Sequence, residues 1–131
     1  MKKTFVLIFI IILLVIVFVE IKPKNKLSYE TTLIQIGATT ITAEIADTQE
    51  KRELGLSGRP ALPADQGMLF VFDQPGRHGF WMKDVNFPID IVWLDENKRT
   101  ISITKNLQPN SYPQLFYPPQ DIKYALEIKA N

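Results

Sequence analysis

Asp90 is the residue whose surroundings most suggest a chemical role. It lies in a run of eight residues, 87–94, in which the seven remaining side chains are all apolar. A buried carboxylate needs a cation or several N–H donors, because an unpaired charge is costly to remove from water. The cations that could pair with Asp90 are Lys83, Arg52 and Arg59. The sequence therefore predicts either a structural ion pair or a polar site at one end of the fold.

Arg52 and Arg59 stand seven residues apart, with glycines at positions 55 and 58 between them. A guanidinium group donates paired N–H groups, which suit carboxylate and phosphate ligands. Arginines near the end of a helix also commonly serve as ordinary partners of its last carbonyl groups. Anion recognition and helix capping therefore both stay open for this pair.

Trp81 and Lys83 alternate with Phe80 and Met82, so in a strand they would share one face. An indole beside a lysine can form the floor of a ligand pocket, although a Trp in a core strand more often only packs. The first hypothesis is therefore a pocket for a small polar or anionic ligand or a cell-envelope fragment. Its predicted ligand-binding residues are Arg52, Arg59, Trp81, Lys83 and Asp90.

The second hypothesis is an envelope glycan hydrolase that uses paired carboxylates. Glycosidases place two carboxyl groups about 5 to 10 Å apart, and the weak catalytic candidates are Asp90 with Glu127 or with Asp84. The sequence contains no G-x-S-x-G, phosphate-loop or H-E-x-x-H motif. The absence of these motifs leaves enzymatic activity open and favours a protein that is not an enzyme. A third hypothesis is a purely structural or accessory interaction domain, whose polar residues only stabilise the fold.

Metal, cofactor and nucleic-acid binding are not expected. The chain has one histidine, His78, and no cysteine, so the usual zinc ligand sets cannot form. Residues 27–131 carry ten Lys or Arg and thirteen Asp or Glu, a net charge near −3. Nucleic-acid binding depends on clustered cations that neutralise phosphates, which this charge balance does not favour.

The elements that must position these residues are mainly strands. Segments 33–36 and 40–45 are rich in β-branched residues and flank Gly37, which is typical of a hairpin. Strands are also predicted at 68–72 and 87–94, and both faces are apolar in 68–72 and 89–94, which predicts central positions. Further strands are predicted at 79–83, 100–104 and 124–128, with an extended proline-rich loop at 109–119.

One short helix is predicted, beginning at the capping pair Asp47 and Glu50 and ending before Gly58. About seven strands with one helix indicate a mainly β domain of the α+β type. We expect a small barrel or strongly twisted β-roll whose helix plugs one end.

The N-terminus predicts a membrane anchor. Fifteen apolar residues, 5–19, follow Lys2 and Lys3, and with their flanks they approach the ~30 Å thickness of the hydrocarbon layer. The residues after them lack the small-x-small site of a cleaved signal peptide. We expect a transmembrane anchor at 1–21 that contacts the cytoplasmic membrane through residues 4–21, a polar spacer at 22–31 and one domain at 32–131. The short leading segment favours a single-pass cell-membrane protein with its domain outside the cytoplasm.

Four motifs carry a family resemblance. They are Arg52-x-x-Gly55-Leu56-x-x-Arg59, Gly67-Met68-Leu69-Phe70-x-Phe72, Phe80-Trp81-Met82-Lys83 with Pro88-x-Asp90, and Leu126-Glu127. In order and spacing the chain resembles the bacterial and archaeal domain-of-unknown-function family number 192 over about residues 33–131. The resemblance implies a small, mostly β domain, often exported or membrane-anchored, and it implies no established activity.

Two departures from the family pattern are expected to matter. Family members usually have methionine at the position of Ser57, which makes the helix end less apolar here. They also usually continue beyond the last Leu-Glu strand with a turn and a closing strand, whereas this sequence stops at Asn131. We expect this either to reflect truncation or to leave the barrel open with an unpaired strand edge.

Overall fold

The computed structural model describes residues 27–131. Its elements are β1 (Thr31–Ile36), β2 (Thr39–Ala46), α1 (Gln49–Leu54), β3 (Gln66–Gly76), β4 (Ile89–Leu94), β5 (Thr100–Leu107) and β6 (Ile122–Lys129). The predicted anchor and residues 22–26 of the predicted spacer lie outside the described residues. Within 27–131, no helix combines the length and the apolar character needed to cross a membrane.

The six strands form one mixed sheet in the order β1-β2-β3-β6-β4-β5. β2 and β3 are parallel and are connected through α1, while the other neighbouring pairs are antiparallel. The domain is therefore mainly β with one short helix in its described part, as predicted. The expected closure into a barrel is wrong, because β1 and β5 are both edge strands and do not pair with each other. A groove of about 480 Å³ on one side of the sheet is lined by both edge strands.

β6, the last strand, lies inside the sheet. It pairs with β3 on one side and with β4 on the other, so both of its edges are hydrogen-bonded. The strand edges left unpaired belong to β1 and β5. The sheet described in residues 27–131 is thus open, with its unpaired edges at β1 and β5, while β6 joins its two halves.

The two faces of the sheet differ in what covers them. One face, called here the core face, carries Met68, Phe70, Ile91, Trp93 and Ala125, and most of the buried apolar residues pack on it. Trp93 is fully buried, and its indole N–H donates to the hydroxyl of Thr104 at 2.8 Å. The second face carries a smaller buried cluster, Ala43, Val92 and Leu126. β3 and β4 are buried on both faces, which explains why their sequences do not alternate.

The helix α1 begins one residue later than the predicted cap. Thr48, rather than Asp47, is the N-cap, and its hydroxyl accepts from the backbone N–H of Lys51 at 3.2 Å. Asp47 instead forms an ion pair with the Lys51 ammonium at 2.9 Å. The helix ends at Gly55, whose φ of 50° is accessible to glycine and strained for other residues.

The predicted strand at 79–83 is wrong. The backbone of this segment pairs only at Phe80, which exchanges two hydrogen bonds with Phe116. Phe80 and Met82 are buried while Trp81 and Lys83 are exposed, so the alternation is real. It arises because the segment lies across the core face and inserts alternate side chains into the core.

Tyr29, inside the predicted spacer, already packs against the core cluster. The Lys51 ammonium lies 5.6 Å and the Arg59 guanidinium carbon 5.9 Å from the centre of its ring. Such cation–π contacts fix the ring against α1 and the loop that follows it. The folded part of the chain thus includes the residues just before β1.

Candidate functional site

A pocket of about 250 Å³ lies on the core face, where α1, β3 and the segment 79–85 meet. Polar groups reach it from α1 and β6, and aromatic groups from β3 and the segment. We call it the Glu127 pocket. It is lined by Gln49, Arg52, Glu53, Leu54, Gly55, Leu56, Ser57, Phe70, Phe72, Gly79, Phe80, Trp81, Val85 and Glu127.

Glu127 provides the deepest polar group of this pocket. It lies on β6 directly opposite Met68 of β3 and Ile91 of β4, so its side chain is on the core face. Only 4% of the residue is exposed. No hydrogen bond or ion pair to its carboxyl group is found within residues 27–131. Within residues 27–131, Tyr29 Oη is the one fully covered side-chain polar atom that has no hydrogen-bond partner. The Glu127 carboxyl group, which also has no partner there, is therefore not fully covered and is in contact with the pocket.

Burial shifts the titration of Glu127 strongly. Removing the carboxylate from water raises its pKa, the positive charge of Arg59 lowers it, and the first effect wins, giving a pKa of about 8 against an ordinary 4.5. Glu127 is therefore a neutral carboxylic acid at pH 7. A carboxyl group with a perturbed pKa and no partner, inside a cleft, marks a functional-site candidate on physical grounds.

Four aromatic side chains, Phe70, Phe72, Phe80 and Trp81, line the same pocket. Phe80 makes edge-to-face contacts with Phe70 at 4.9 Å and with Phe72 at 6.1 Å between ring centres. Trp81 is 45% exposed. The centres of the Trp81 and Tyr112 rings are 5.8 Å apart, and the ring planes form an angle of 67°. The pocket is thus an aromatic cleft with one exposed indole and one neutral acid.

Arg52 lines the pocket, but its guanidinium group is already engaged. Nη1 donates to the backbone carbonyls of Asp47 at 2.8 Å and Val71 at 2.7 Å. Nη2 lies 3.6 Å from the carboxylate of Asp73. The first two bonds connect the start of α1 to β3. Arg52 therefore holds one wall in place, and its carbonyl partners lie before α1 and on β3 rather than at the end of the helix that the capping alternative expected.

Arg59 does not line the pocket. Its guanidinium group donates to the carboxylate of Glu44 on β2 and lies over the ring of Tyr29. Its influence on Glu127 is through its charge alone. The two arginines of the motif thus point to different partners and do not form one anion site.

Lys83, also among the predicted ligand residues, lies beside the pocket without lining it. Its ammonium is 5.7 Å from the centre of the Trp81 ring. Its backbone carbonyl accepts from the hydroxyl of Ser57 at 2.8 Å. This second contact ties the segment that carries Trp81 to the loop after α1.

Asp90 is buried, with 5% exposed, on the face opposite to Glu127. It pairs with Ile128 in the sheet register, and its Oδ1 accepts from the backbone N–H of Asn106 at 2.7 Å. Asn106 has a φ of 55° at an irregularity in the β4–β5 pairing. The expected Lys or Arg partner is not found within residues 27–131. A backbone donor takes that role, and Asp90 stabilises a bulge rather than a pocket.

We expect Asp90→Ala to lower the free energy of unfolding by about 1 to 3 kcal/mol, because the Asn106 N–H loses its acceptor at the irregularity in the β4–β5 pairing. Asp90→Asn keeps an acceptor oxygen and should cost less. Urea denaturation of both variants measures the difference. Equal stability of wild type and Asp90→Ala would show that the bond contributes nothing.

The structure does not bring the proposed catalytic pairs together. Asp90 and Glu127 lie on opposite faces of the sheet. Asp90 is paired with Ile128, the residue after Glu127, and successive residues of a strand point to opposite faces. Asp84 is exposed, has a φ of 55° and does not line the pocket. Glu53 of α1 is the acid that shares the pocket with Glu127, and its Oε1 accepts from Gln49. Of the carboxylate pairs named from the sequence, Asp90 and Glu127 are thus separated by the sheet, and neither Asp90 nor Asp84 lines the Glu127 pocket.

Comparison with protein-family models gives one match. Residues 32–131 match the model of DUF192, described as Uncharacterized ACR. The chain belongs to this family. A comparison with curated proteins gives no match for the chain.

Two solved structures resemble this DUF192 domain. One is a chain from Sinorhizobium meliloti 1021, described as a candidate transcription regulator, with 28% identity and a TM-score of 0.72; the match covers 81% of this chain and 85% of that one. The other, of unknown function, is from Novosphingobium aromaticivorans DSM 12444, with 23% identity and a TM-score of 0.72, covering 83% and 79%. The second likeness concerns the fold alone.

Several pocket residues of the DUF192 domain were not singled out from the sequence. Phe70, Phe72 and Glu53 line the pocket with no role assigned to them from the sequence, and His78 lies beside it without lining it. His78 stacks on Phe72 at 3.7 Å, with Nε2 3.1 Å from the carbonyl of Gln74. Glu127, which the sequence names only as a carboxylate partner of Asp90, has the same signal as Asp90, since apolar Ala125, Leu126 and Ile128 surround it.

Proposed function

We propose that this protein is a membrane-tethered, extracytoplasmic binding domain that holds a small polar ligand or a fragment of the cell envelope in the Glu127 pocket. The observation that carries the proposal is the unpartnered carboxyl group of Glu127 at the base of an aromatic cleft. Buried polar groups are nearly always satisfied, so a group left open to a pocket suggests that a ligand completes it. The apolar run at 5–19 supports the tether and the location.

The size and walls of the pocket agree with a small ligand. A volume of about 250 Å³ is below the range typical of drug-sized ligands, so one ring or a short polar chain suits it. The half-exposed indole of Trp81 offers a flat surface for stacking at the edge of the cleft. A role in nucleic-acid binding has no comparable support, because residues 27–131 are net acidic.

A thermal-shift screen of the full chain tests the proposal. The probes are N-acetylglucosamine, D-alanyl-D-alanine, glycerol phosphate and choline, which represent neutral, zwitterionic, anionic and cationic envelope groups. At least one should raise the melting temperature, since a ligand that binds only the folded state stabilises it. Absence of any shift at millimolar concentration would contradict the proposal.

Trp81→Ala should weaken binding of the active probe about tenfold, or about 1.4 kcal/mol, through loss of the stacking surface. The matched control is Ile103→Ala, because Ile103 is 48% exposed and lies on β5 away from this pocket. The control should keep the wild-type affinity. Equal affinity of wild type and Trp81→Ala would remove the Glu127 pocket from the binding site.

A further inference from the structure

We infer that the ligand of the Glu127 pocket is an organic cation, a small quaternary ammonium group that has the Glu127 carboxylate as its counter-ion and the aromatic walls as its contact surface. This inference rests on the proposed function and names the class of its ligand. It replaces the anionic ligand expected from the arginines in the sequence.

The charges around the pocket favour a cation. Arg52 and Glu53 of α1 both line it and balance each other. Arg59, in the loop after α1, acts on Glu127 but is paired with Glu44 of β2. The strand neighbours of Glu127, Met68 and Ile91, are uncharged. Glu127 is thus the one charge-bearing group of the pocket within residues 27–131 that lacks a partner.

The donors an anion would need are already used. Arg52 Nη1 serves two backbone carbonyls, and Nη2 faces the carboxylate of Asp73. An anion would have to displace these contacts and would also lie against the acidic side chain of Glu53. A cation has a counter-ion in Glu127, whose carboxyl group has no partner within residues 27–131, while the positive charge of Arg52 is paired with Asp73.

The aromatic walls suit a cation as well. Lys83 Nζ lies 5.7 Å from the centre of the Trp81 ring, which is the geometry of a cation–π contact at this indole. One face of Phe72 is covered by His78 and the Arg52 guanidinium lies over its ring. The aromatic surface left for a ligand is therefore that of Phe70 and Phe80, and at Trp81 a ligand cation would take the place of the Lys83 ammonium.

The cost of deprotonating Glu127 is smaller than the attraction that a bound cation supplies. With a pKa of about 8, the carboxyl group is about one-tenth ionised at pH 7, so the need to lose a proton weakens apparent affinity about tenfold. The attraction between a cation and a carboxylate in contact favours the ionised form by much more than tenfold, even at an effective dielectric constant of about 20. The entering cation therefore outweighs the proton, and the cation–π contacts add affinity that does not depend on this ionisation.

Calorimetric titration of the full chain tests the inference. The protein is kept in an alkyl maltoside, whose head group carries no charge, and the probes are choline and its uncharged isostere 3,3-dimethylbutan-1-ol. Choline should bind about tenfold more tightly at pH 9 than at pH 7, following the ionised fraction of Glu127. Binding at pH 7 should release close to one proton, detected by comparing buffers of different ionisation enthalpy. The isostere should bind at least tenfold more weakly and without pH dependence.

Glu127→Gln should lose the pH dependence and weaken choline binding at pH 9 at least tenfold. Glu96→Gln is the matched control, because it removes the same charge from the exposed β4–β5 turn. It should behave as wild type, and circular dichroism checks that all proteins are folded at pH 9.

The outcomes separate the inference from the proposed function. Tight binding of the isostere, a choline affinity that falls with pH, or full binding by Glu127→Gln would overturn the inference. If an anion or sugar from the thermal-shift screen binds through Trp81 while choline does not, the inference fails and the binding function stands. If no probe binds, both fail.

Discussion

Glu127→Gln is expected to make folding stability nearly independent of pH between about pH 5 and 8, where the wild-type protein loses stability. The folded-state pKa of about 8 is above the ordinary 4.5, so the folded protein holds a proton that the unfolded chain releases. This contribution is fully present below pH 4.5 and is lost as pH rises through 8. The shift corresponds to about 4 to 5 kcal/mol, and glutamine, which cannot ionise, avoids that loss.

Urea denaturation of wild type and Glu127→Gln at half-unit pH steps measures the effect. Other carboxyl groups also titrate near pH 4 to 5, so the informative quantity is the difference between the two proteins. That difference should be small at pH 4 and should grow until about pH 8 in favour of the variant. Glu96→Gln should follow wild type. A difference that stays constant with pH would mean that Glu127 is ionised in the folded state.

Gly67→Ala is expected to destabilise the domain by about 3 kcal/mol through overpacking. A Cβ at this position would lie 2.7 Å from the backbone carbonyl oxygen of Glu127 and 3.2 Å from side-chain carbons of Ile41 and Ile128. A backbone atom in the centre of a sheet cannot move aside as the end of a flexible side chain can. The cost is therefore one of space between β3 and β6.

Gly37→Ala serves as the comparison for this prediction. Nothing lies within 4 Å of a Cβ there, but the φ of 57° is strained for alanine, so a smaller loss of about 1 kcal/mol is expected. Urea denaturation at pH 6 measures both variants. If Gly67→Ala proved no less stable than Gly37→Ala, β3 and β6 would have to be less closely apposed than described.

The sheet was largely predictable because burial on two faces leaves a clear trace in the sequence. β3 and β4 are apolar at consecutive positions, and both lie inside the sheet. Segment 79–83 has an equally clear alternation, but alternation reports which side chains are buried and not whether the backbone has neighbours. The prediction of a closed barrel was wrong for a related reason. Closure depends on pairing between β1 and β5, which are far apart in the chain, and local sequence patterns do not report such pairing.

The candidate site was predicted in part. Arg52, Trp81 and Glu127 do line one pocket, whereas Arg59, Lys83, Asp90 and Asp84 do not. Asp90 and Glu127 have the same signal, an acid within an apolar strand. Which of them faces the pocket depends on the register of β4 against β6, and a shift of one residue would exchange their faces. Local sequence does not encode that register.

The contact of Tyr29 with Lys51 and Arg59 limits how far the domain can stand from its proposed tether. Seven residues, 22–28, separate the predicted anchor from Tyr29, and fully extended the chain from residue 21 to Tyr29 reaches about 28 Å. A domain held so close would meet molecules near the lipid head groups before those in bulk solvent. Because Lys51 belongs to α1, tension on the proposed spacer would also act directly on one wall of the Glu127 pocket.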